Sequence, residues 1–222
     1  MLNTTTSTNR TLNQILNDGD AGLVIKNNKN ALIAIFVAII VAVVGFGVYS
    51  SFSDKANVEY NSKIYNFEST VLKTYSDKSD PQSLVQGIKD LQKTIGNYSG
   101  LVPVVIKASD ALIGQLHLNE ALEVLKLGQL VSKNEYSDYF ILSRLAVVYE
   151  DLNLNQKAIE TLEKMNAQSL KIFEGKNYLD LGRLYLKSGD KTKASASFKY
   201  VVEKAKDEPE FVKIANLYLS KI

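Results

Sequence analysis

The chain has 222 residues, of which 45% are hydrophobic and 23% charged, so there is room for one globular domain of ordinary size and one further segment. Its net charge of +2 gives no basic surface of the kind that nucleic-acid-binding proteins carry. There is no cysteine and only one histidine, His117, which excludes disulfides, thiolate zinc sites and most other metal and acid–base sites.

Residues 1–30 are rich in threonine, asparagine and serine, and too few apolar residues recur there for a packed domain. We therefore expect a mostly disordered tail over 1–30. Leu12, Ile15 and Leu16 leave open a single amphipathic turn that touches a partner or the membrane surface.

Residues 31–49 read ALIAIFVAIIVAVVGFGVY, and no charged residue occurs between Lys29 and Asp54. At about 1.5 Å per residue this segment forms about 28 Å of helix, close to the thickness of the hydrocarbon core of a membrane. The length and composition predict a transmembrane signal-anchor helix. A buried core helix and a cleaved signal peptide are the alternatives; the former would show a polar face, and the latter has a shorter apolar stretch.

Lysines flank both ends of the predicted span. Lys26 and Lys29 precede it, whereas Lys55 and Lys63 follow it among acidic residues. The positive-inside rule favours a cytoplasmic amino terminus, which places the rest of the chain outside the cytoplasm.

Small residues recur every four positions within the span, at Ala34, Ala38 and Ala42. This register lets transmembrane helices pack closely, although alanine is also common in such segments without that role.

After the span the apolar periodicity is helical and shows no sustained strand alternation. It predicts helices over 54–76, 81–96, 101–115, 118–132, 136–151, 155–166, 174–188, 191–206 and 209–221. Asp80-Pro81 and Glu208-Pro209 begin helices, because proline at the first helical position loses no hydrogen bond.

One pattern occurs three times at intervals of 36 and 37 residues. Its last copy contains Tyr178, Leu181, Gly182, Tyr185, Gly189, Ala194 and Phe198. The middle copy has Leu142, Leu145, Ala146, Tyr149, Asn153, Ala158 and Leu162 at the same spacing. The first copy is degenerate, with Val105, Ala108, Ser109, Leu112, Leu116, Ala121 and Leu125. Steps of three and four place apolar residues on one helix face, so the hairpins must stack to bury them.

The pattern resembles the tetratricopeptide repeat over residues 101–222, and 57–96 is expected to be a diverged hairpin. The resemblance implies a helical-hairpin solenoid over 54–222. In that arrangement small Gly182 lets the two helices of a hairpin approach closely.

The whole layout is similar to the YfgM-type family. The approach NNKNAL at 27–32, the Ala/Gly-rich span, the helix beginning at Asp54 and the repeat length carry this likeness, whereas the Thr/Asn-rich tail departs from it. The resemblance implies a cytoplasmic tail, an inner-membrane anchor and a periplasmic repeat domain. It also implies an ancillary subunit of the Sec translocon, with translocon subunits, periplasmic chaperones or secreted chains as partners.

Tetratricopeptide proteins bind partners in the concave groove that the first helix of each hairpin lines, and the resemblance implies such a groove here. Its expected protein-binding residues are Phe140, Ser143, Val147, Glu150, Lys176, Leu179, Arg183 and Lys187, with Ile106, Asp110 and Ile113 at the equivalent positions of the first copy. Basic residues beside exposed apolar ones suit an acidic and apolar peptide, whose binding salt would weaken. The alternative is a solvated face with ordinary packing.

No catalytic constellation is evident in the sequence. His117 lies in a turn without other ligands, Ser188 and Lys191 span a hairpin turn and read as capping residues, and Asn97-Tyr98-Ser99 is a glycosylation acceptor only in a glycosylating pathway. We therefore expect an all-α, membrane-anchored interaction module that is not an enzyme and needs no cofactor. Two alternatives are a self-associating, possibly homodimeric, assembly factor for an envelope complex, and a membrane enzyme.

Overall fold

The computed structural model describes residues 28–222, and within this range the chain forms helices and no β-strand. The expected tail falls outside the described residues, apart from its last three positions. The chain divides into two compact units, Met1–Val58 and Glu59–Ile222.

Helix α1 spans Lys29–Phe67. The helical segment Lys29–Leu72 is long and apolar enough to cross a membrane, and its most apolar stretch is not buried against the rest of the protein. The exposure of this stretch does not support the alternative of a buried core helix. The assignment as a membrane span is based on length and composition. The predicted span over 31–49 and the predicted helix from residue 54 form one continuous helix, since residues 50–53 contain neither proline nor glycine.

The end of α1 differs from the sequence prediction of a helix to residue 76. A π-helical turn, Glu68–Leu72, follows α1. The hydroxyls of Ser69 and Thr70 both donate to the backbone carbonyl of Asn66, at 3.1 and 2.6 Å. Such bonds compete with the regular backbone ladder, and they mark the place where the α-helix stops.

The second unit contains eight further helices among the described residues: α2 Pro81–Ile95, α3 Val102–Gly114, α4 Leu118–Val131, α5 Glu135–Asp151, α6 Asn155–Ala167, α7 Glu174–Lys187, α8 Lys191–Lys204 and α9 Pro209–Leu219. Each end lies within two residues of its predicted position. A short 3-10 turn, Ser99–Leu101, precedes α3.

Side-chain caps explain why several of these helices begin where they do. The Asp80 carboxylate accepts from the backbone N–H of Gln82 at 3.1 Å, and Pro81 occupies the first helical position of α2. Asn134 and Ser137 form a capping box at the start of α5. These local contacts satisfy N–H groups that the helices themselves leave unpaired.

The three hairpin turns share one backbone conformation. The turn residues Leu116, Asn153 and Gly189 have left-handed φ angles of 63°, 59° and 84°. After each of them, a backbone N–H donates to a carbonyl five residues earlier: His117 to Leu112 at 2.9 Å, Leu154 to Tyr149 at 2.8 Å, and Asp190 to Tyr185 at 2.9 Å. This is the Schellman ending of a helix, and its recurrence at intervals of 37 and 36 residues confirms the repeat at the level of the backbone.

Small residues allow close helix packing within and between hairpins. A Cβ built on Gly182 of α7 would lie 2.5 Å from Cε1 of Phe198 on α8. One built on Gly87 of α2 would lie 2.7 Å from Phe67, so α2 packs against the end of α1, and the diverged hairpin over 57–96 stays a prediction. The buried apolar residues form one continuous cluster from Ile64 to Ala215. The second unit is therefore a helical-hairpin solenoid, as predicted.

Candidate protein-binding groove

The first helices of three successive hairpins, α3, α5 and α7, line a groove of about 700 Å³. Six of the eight predicted binding residues lie in it: Phe140, Ser143, Val147, Glu150, Lys176 and Arg183. Asp110 and Ile113 of the first copy also line it, whereas Ile106 does not. The repeat register therefore gathers side chains from three helices on one surface.

Two of the predicted binding residues lie elsewhere. Leu179 is only 8% exposed, so the prediction that it is exposed in the groove is wrong. Gly175, Leu179 and Gly182 are all buried and are spaced four and three residues apart, so they share the face of α7 that packs against its neighbours. Lys187 is exposed at the carboxyl end of α7 but does not line the groove.

Ion pairs connect the π-helical turn, α3, α5 and α7 in succession. Arg144 of α5 grips Asp110 of α3 with two hydrogen bonds, of 2.6 and 2.8 Å. Arg183 of α7 grips Glu150 of α5 in the same bidentate way. Lys107 of α3 pairs with Glu68 of the π-helical turn. In every step the acid lies on the earlier helix and the base on the later one; we call this series the ion-pair ladder.

Carboxylates pair with both of the predicted basic residues that line the groove, Lys176 and Arg183. Lys176 Nζ lies 2.7 Å from Asp180, and Arg183 lies 3.5 Å from the other oxygen of the same carboxylate. The Asp180 carboxylate therefore faces both Lys176 and Arg183. The charged residues lining the groove are three acids and three bases: Asp110, Glu150, Asp180, Arg144, Lys176 and Arg183.

Titration shifts follow from these contacts. The hydrogen bonds from Arg183 hold the pKa of Glu150 below its ordinary value, against the opposing effect of partial burial. The same bonds raise the pKa of Arg183 further above its ordinary value. Burial raises the pKa of Tyr139, which lies near the amino end of α5 and lines the groove. The Arg183–Glu150 pair is thus ionised at neutral pH, and Tyr139 is neutral.

Three apolar side chains remain exposed within the groove. Phe140 is 44% exposed, Val147 46% and Phe173 62%. Phe173 was not among the predicted binding residues, because the pattern considered only helical positions and Phe173 precedes α7. An aromatic residue directly before the start of a groove-lining helix is the sequence signal that could have identified it.

The remaining residues considered in the sequence analysis are Ser188, His117 and the alanines of the apolar segment. The Ser188 hydroxyl donates to the Leu184 carbonyl at 2.9 Å, in keeping with a capping role. His117 is the residue before α4, and no group of three potential metal-ligating side chains occurs within residues 28–222. Ala34, Ala38 and Ala42 lie exposed along α1, and their packing role stays a prediction.

The tetratricopeptide repeat-like domain family matches residues 25–214, a range that includes the apolar segment of α1 as well as the hairpins. No curated protein and no solved structure matches the chain. Because the family pattern covers most of the sequence, the chain belongs to the tetratricopeptide repeat-like domain family.

Proposed function

We propose that this protein is a membrane-anchored interaction module that holds a segment of another protein in the groove between α3, α5 and α7. The observation that carries this proposal is the groove itself, which is long enough to involve three hairpins and exposes Phe140, Val147 and Phe173. Exposed apolar side chains gathered in a concavity are typical of binding sites, because burying them on a partner is favourable.

The cellular setting we propose is the outer side of the inner membrane, where the module serves as an ancillary translocon subunit or a chaperone-linked scaffold. The exposed apolar length of α1 supports the anchor, and Lys26 and Lys29 before it support a cytoplasmic amino terminus. The likeness to YfgM-type proteins supports the link to translocon subunits, periplasmic chaperones or secreted chains.

A second candidate function is a self-associating assembly factor for an envelope complex. Helix α9 favours it, because Ile214 and Leu217 are exposed on the last helix of the solenoid. A second copy of the chain could cover these two side chains.

Co-purification from membranes in mild detergent, after brief cross-linking, tests the proposal. The groove variant is Phe140→Ser with Val147→Ser. The matched control is Leu130→Ser with Tyr136→Ser, which removes two exposed apolar side chains that do not line the groove. Proteins bound to each form are identified by mass spectrometry, and melting curves show whether each variant is folded.

We expect translocon subunits or periplasmic chaperones to accompany the wild type and the control, and to be depleted from the groove variant. Recovery of only copies of the chain itself, with loss on changing Ile214 and Leu217 to serine, would favour the assembly factor. Equal partner recovery by a folded groove variant would remove the groove from the proposal.

A further inference from the structure

We infer that the groove takes an apolar, uncharged segment of a partner protein, and that Phe173 is an anchor for it. This inference rests on the proposed function and specifies the chemistry of the ligand and a binding residue that the repeat pattern does not contain. Two independent features carry it: the state of the charges in the groove and the backbone of Phe173.

The charges in the groove are already satisfied by one another. The guanidinium groups of Arg144 and Arg183 each donate two hydrogen bonds to a carboxylate of the preceding first helix. Lys176 is paired with Asp180. A charged partner residue would have to break such a pair and leave one member without its counter-charge, which is unfavourable in a partly desolvated groove. The surface left for a ligand is therefore the apolar one.

The backbone of Phe173 is in the left-handed region, with φ and ψ both 47°. A bulky residue is disfavoured there, and asparagine or glycine is the usual occupant. Phe173 is also the N-cap residue of α7, where serine, threonine, aspartate or asparagine would bond a free N–H, and its side chain makes no such bond. By both local rules phenylalanine is a poor choice at this position.

The surroundings hold this unfavourable conformation in place. The Asn177 side chain donates to the Ile172 carbonyl at 3.1 Å, and the backbone N–H of Asn177 donates to the Phe173 carbonyl at 3.0 Å. The Glu208 carboxylate accepts from the Gly175 N–H at 2.9 Å, so it supplies the cap that Phe173 does not. Hydrogen bonds thus hold the backbone on both sides of Phe173.

Phe173 gains little burial in return, since the residue is 62% exposed and lines the groove that Phe140 and Val147 also line. Local strain that does not improve the packing of the fold points to a role in binding. A rigid aromatic side chain is well suited to that role, because it offers a large apolar area and loses little freedom on binding. A leucine or phenylalanine of the partner is the matching contact.

The test uses the full-length chain in lipid nanodiscs and four labelled synthetic peptides of equal length. Three peptides carry leucine and phenylalanine at alternate positions and differ in the intervening residues, which are serine, aspartate or lysine. The fourth replaces leucine and phenylalanine with serine and asparagine. Binding is followed by fluorescence anisotropy at about 50 mM and about 500 mM salt, with the signal of empty nanodiscs subtracted.

We expect the apolar serine peptide to bind at least about tenfold more tightly than the other three, with a change of less than about twofold between the two salt concentrations. Phe173→Asn and Phe140→Ser should each weaken this binding by about tenfold or more. Phe173→Leu, which keeps an apolar side chain, should retain part of it.

Leu116→Asn is the matched control, because Leu116 is the other bulky, exposed residue with a left-handed backbone among residues 28–222, and it lies outside the groove. Both asparagine variants should raise the melting temperature by a few degrees, about 2–6 °C, but only Phe173→Asn should lose peptide binding. A gain in stability together with a loss of binding cannot arise from unfolding.

Preference for the aspartate or lysine peptide, or strong weakening by salt, would overturn the inference. So would unchanged binding by Phe173→Asn, or loss of binding together with a lower melting temperature. If no peptide binds but translocon subunits or chaperones still co-purify through the groove, this inference fails and the proposed function stands. If neither occurs, both fail.

Discussion

Gly182 lies where the two helices of the last complete hairpin come closest. A Cβ at this position would meet three atoms of the Phe198 ring at 2.5–2.8 Å, and Phe198 is fully buried. We therefore expect Gly182→Leu to lower the free energy of unfolding by about 1–3 kcal/mol or more, because the core cannot accept the added volume.

Thermal denaturation followed by circular dichroism measures the effect of Gly182→Leu. Gly114→Leu is its control, since Gly114 has open space around the missing Cβ. Equal melting temperatures for the wild type and Gly182→Leu would show that α7 and α8 do not approach as closely as described.

Among the turn residues of the three repeats, Leu116 is the one whose side chain disfavours the left-handed backbone conformation. It is 79% exposed at a φ of 63°, whereas the equivalent positions carry Asn153 and Gly189. Leu116→Asn should raise the free energy of unfolding by about 1 kcal/mol, because asparagine tolerates the left-handed region. Urea denaturation of this variant and of Leu130→Asn, an exposed leucine in regular helix α4, provides the comparison. A gain shared by both variants would attribute the effect to lost surface hydrophobicity instead.

How well the sequence predicts a residue's environment depends on how local its cause is. Asn153 and Gly189 are recognisable as turn residues from their chemistry alone. Leu116 is not, and only the repeat period placed it in a turn. Phe173 was missed entirely, because its conformation depends on Asn177 and on Glu208 from another loop. Leu179 was misplaced because α7 buries a broader arc than one hairpin interface requires.

At the scale of the helices, the ion-pair ladder joins the π-helical turn, α3, α5 and α7 in succession. The Arg183–Glu150 pair joins α7 to α5, and the hydrogen bonds from Arg183 hold the pKa of Glu150 below its ordinary value of 4.5. A carboxyl group with a lowered folded-state pKa stabilises the protein above its unfolded pKa. That contribution is lost as the pH falls through the lower, folded value.

Glu150→Gln should therefore lower the free energy of unfolding at pH 7, by about 1 kcal/mol or less because the Arg183 side chain is partly solvent-exposed. The difference from the wild type should shrink as the pH falls through the lowered folded-state pKa of Glu150, because the carboxyl group then becomes protonated. Urea denaturation at pH 7 and at a series of acidic pH values measures it. A difference that stays the same across the series would mean that the charge of Glu150 contributes nothing to stability.

Helix boundaries were predictable where a cap or a proline sets them, as at Asp80-Pro81 and at the Asn134–Ser137 capping box. The end of α1 was not, since the periodicity continues past Phe67 while the hydroxyls of Ser69 and Thr70 draw the backbone into a π-helical turn. The ladder was not predictable either. Its partners are 33–39 residues apart in the sequence, and only the stacking of helices brings them together.

At the scale of the whole molecule, the two units differ in whether their apolar side chains are buried. The core of the second unit runs without interruption from Ile64 to Ala215, so its hairpins share their buried faces with their neighbours. Gly128 shows how, because a Cβ there would meet both Val105 of its own hairpin and Ile141 of the next at 2.7 Å. The apolar side chains of residues 31–49 in the first unit have no such partner within the described chain and lie exposed.

A helix with nearly twenty exposed apolar residues is unfavourable in water and favourable in a bilayer, which is the physical basis for expecting a membrane anchor. We predict that the chain sediments with membranes and resists extraction at high pH. Ile39→Lys with Val41→Glu should release it or block its insertion, since each charge near the centre of a span costs about 2.5–3.5 kcal/mol. Val58→Lys with Tyr65→Glu, two exposed residues beyond the apolar segment, is the matched control and should stay in the membrane fraction.

Protease accessibility in cells that express the same variants determines the orientation of the chain in the membrane. Lys26 and Lys29 precede the apolar segment, and the lysines that follow it alternate with acidic residues, so the amino terminus is expected to stay in the cytoplasm. Protease added to intact spheroplasts should then digest Glu59–Ile222 in the wild type and in the Val58→Lys, Tyr65→Glu control, while cytoplasmic marker proteins survive. Protection of that unit, with an exposed periplasmic marker digested in the same tube, would reverse the topology. The groove would then face the cytoplasm, and periplasmic chaperones and secreted chains could no longer be its partners.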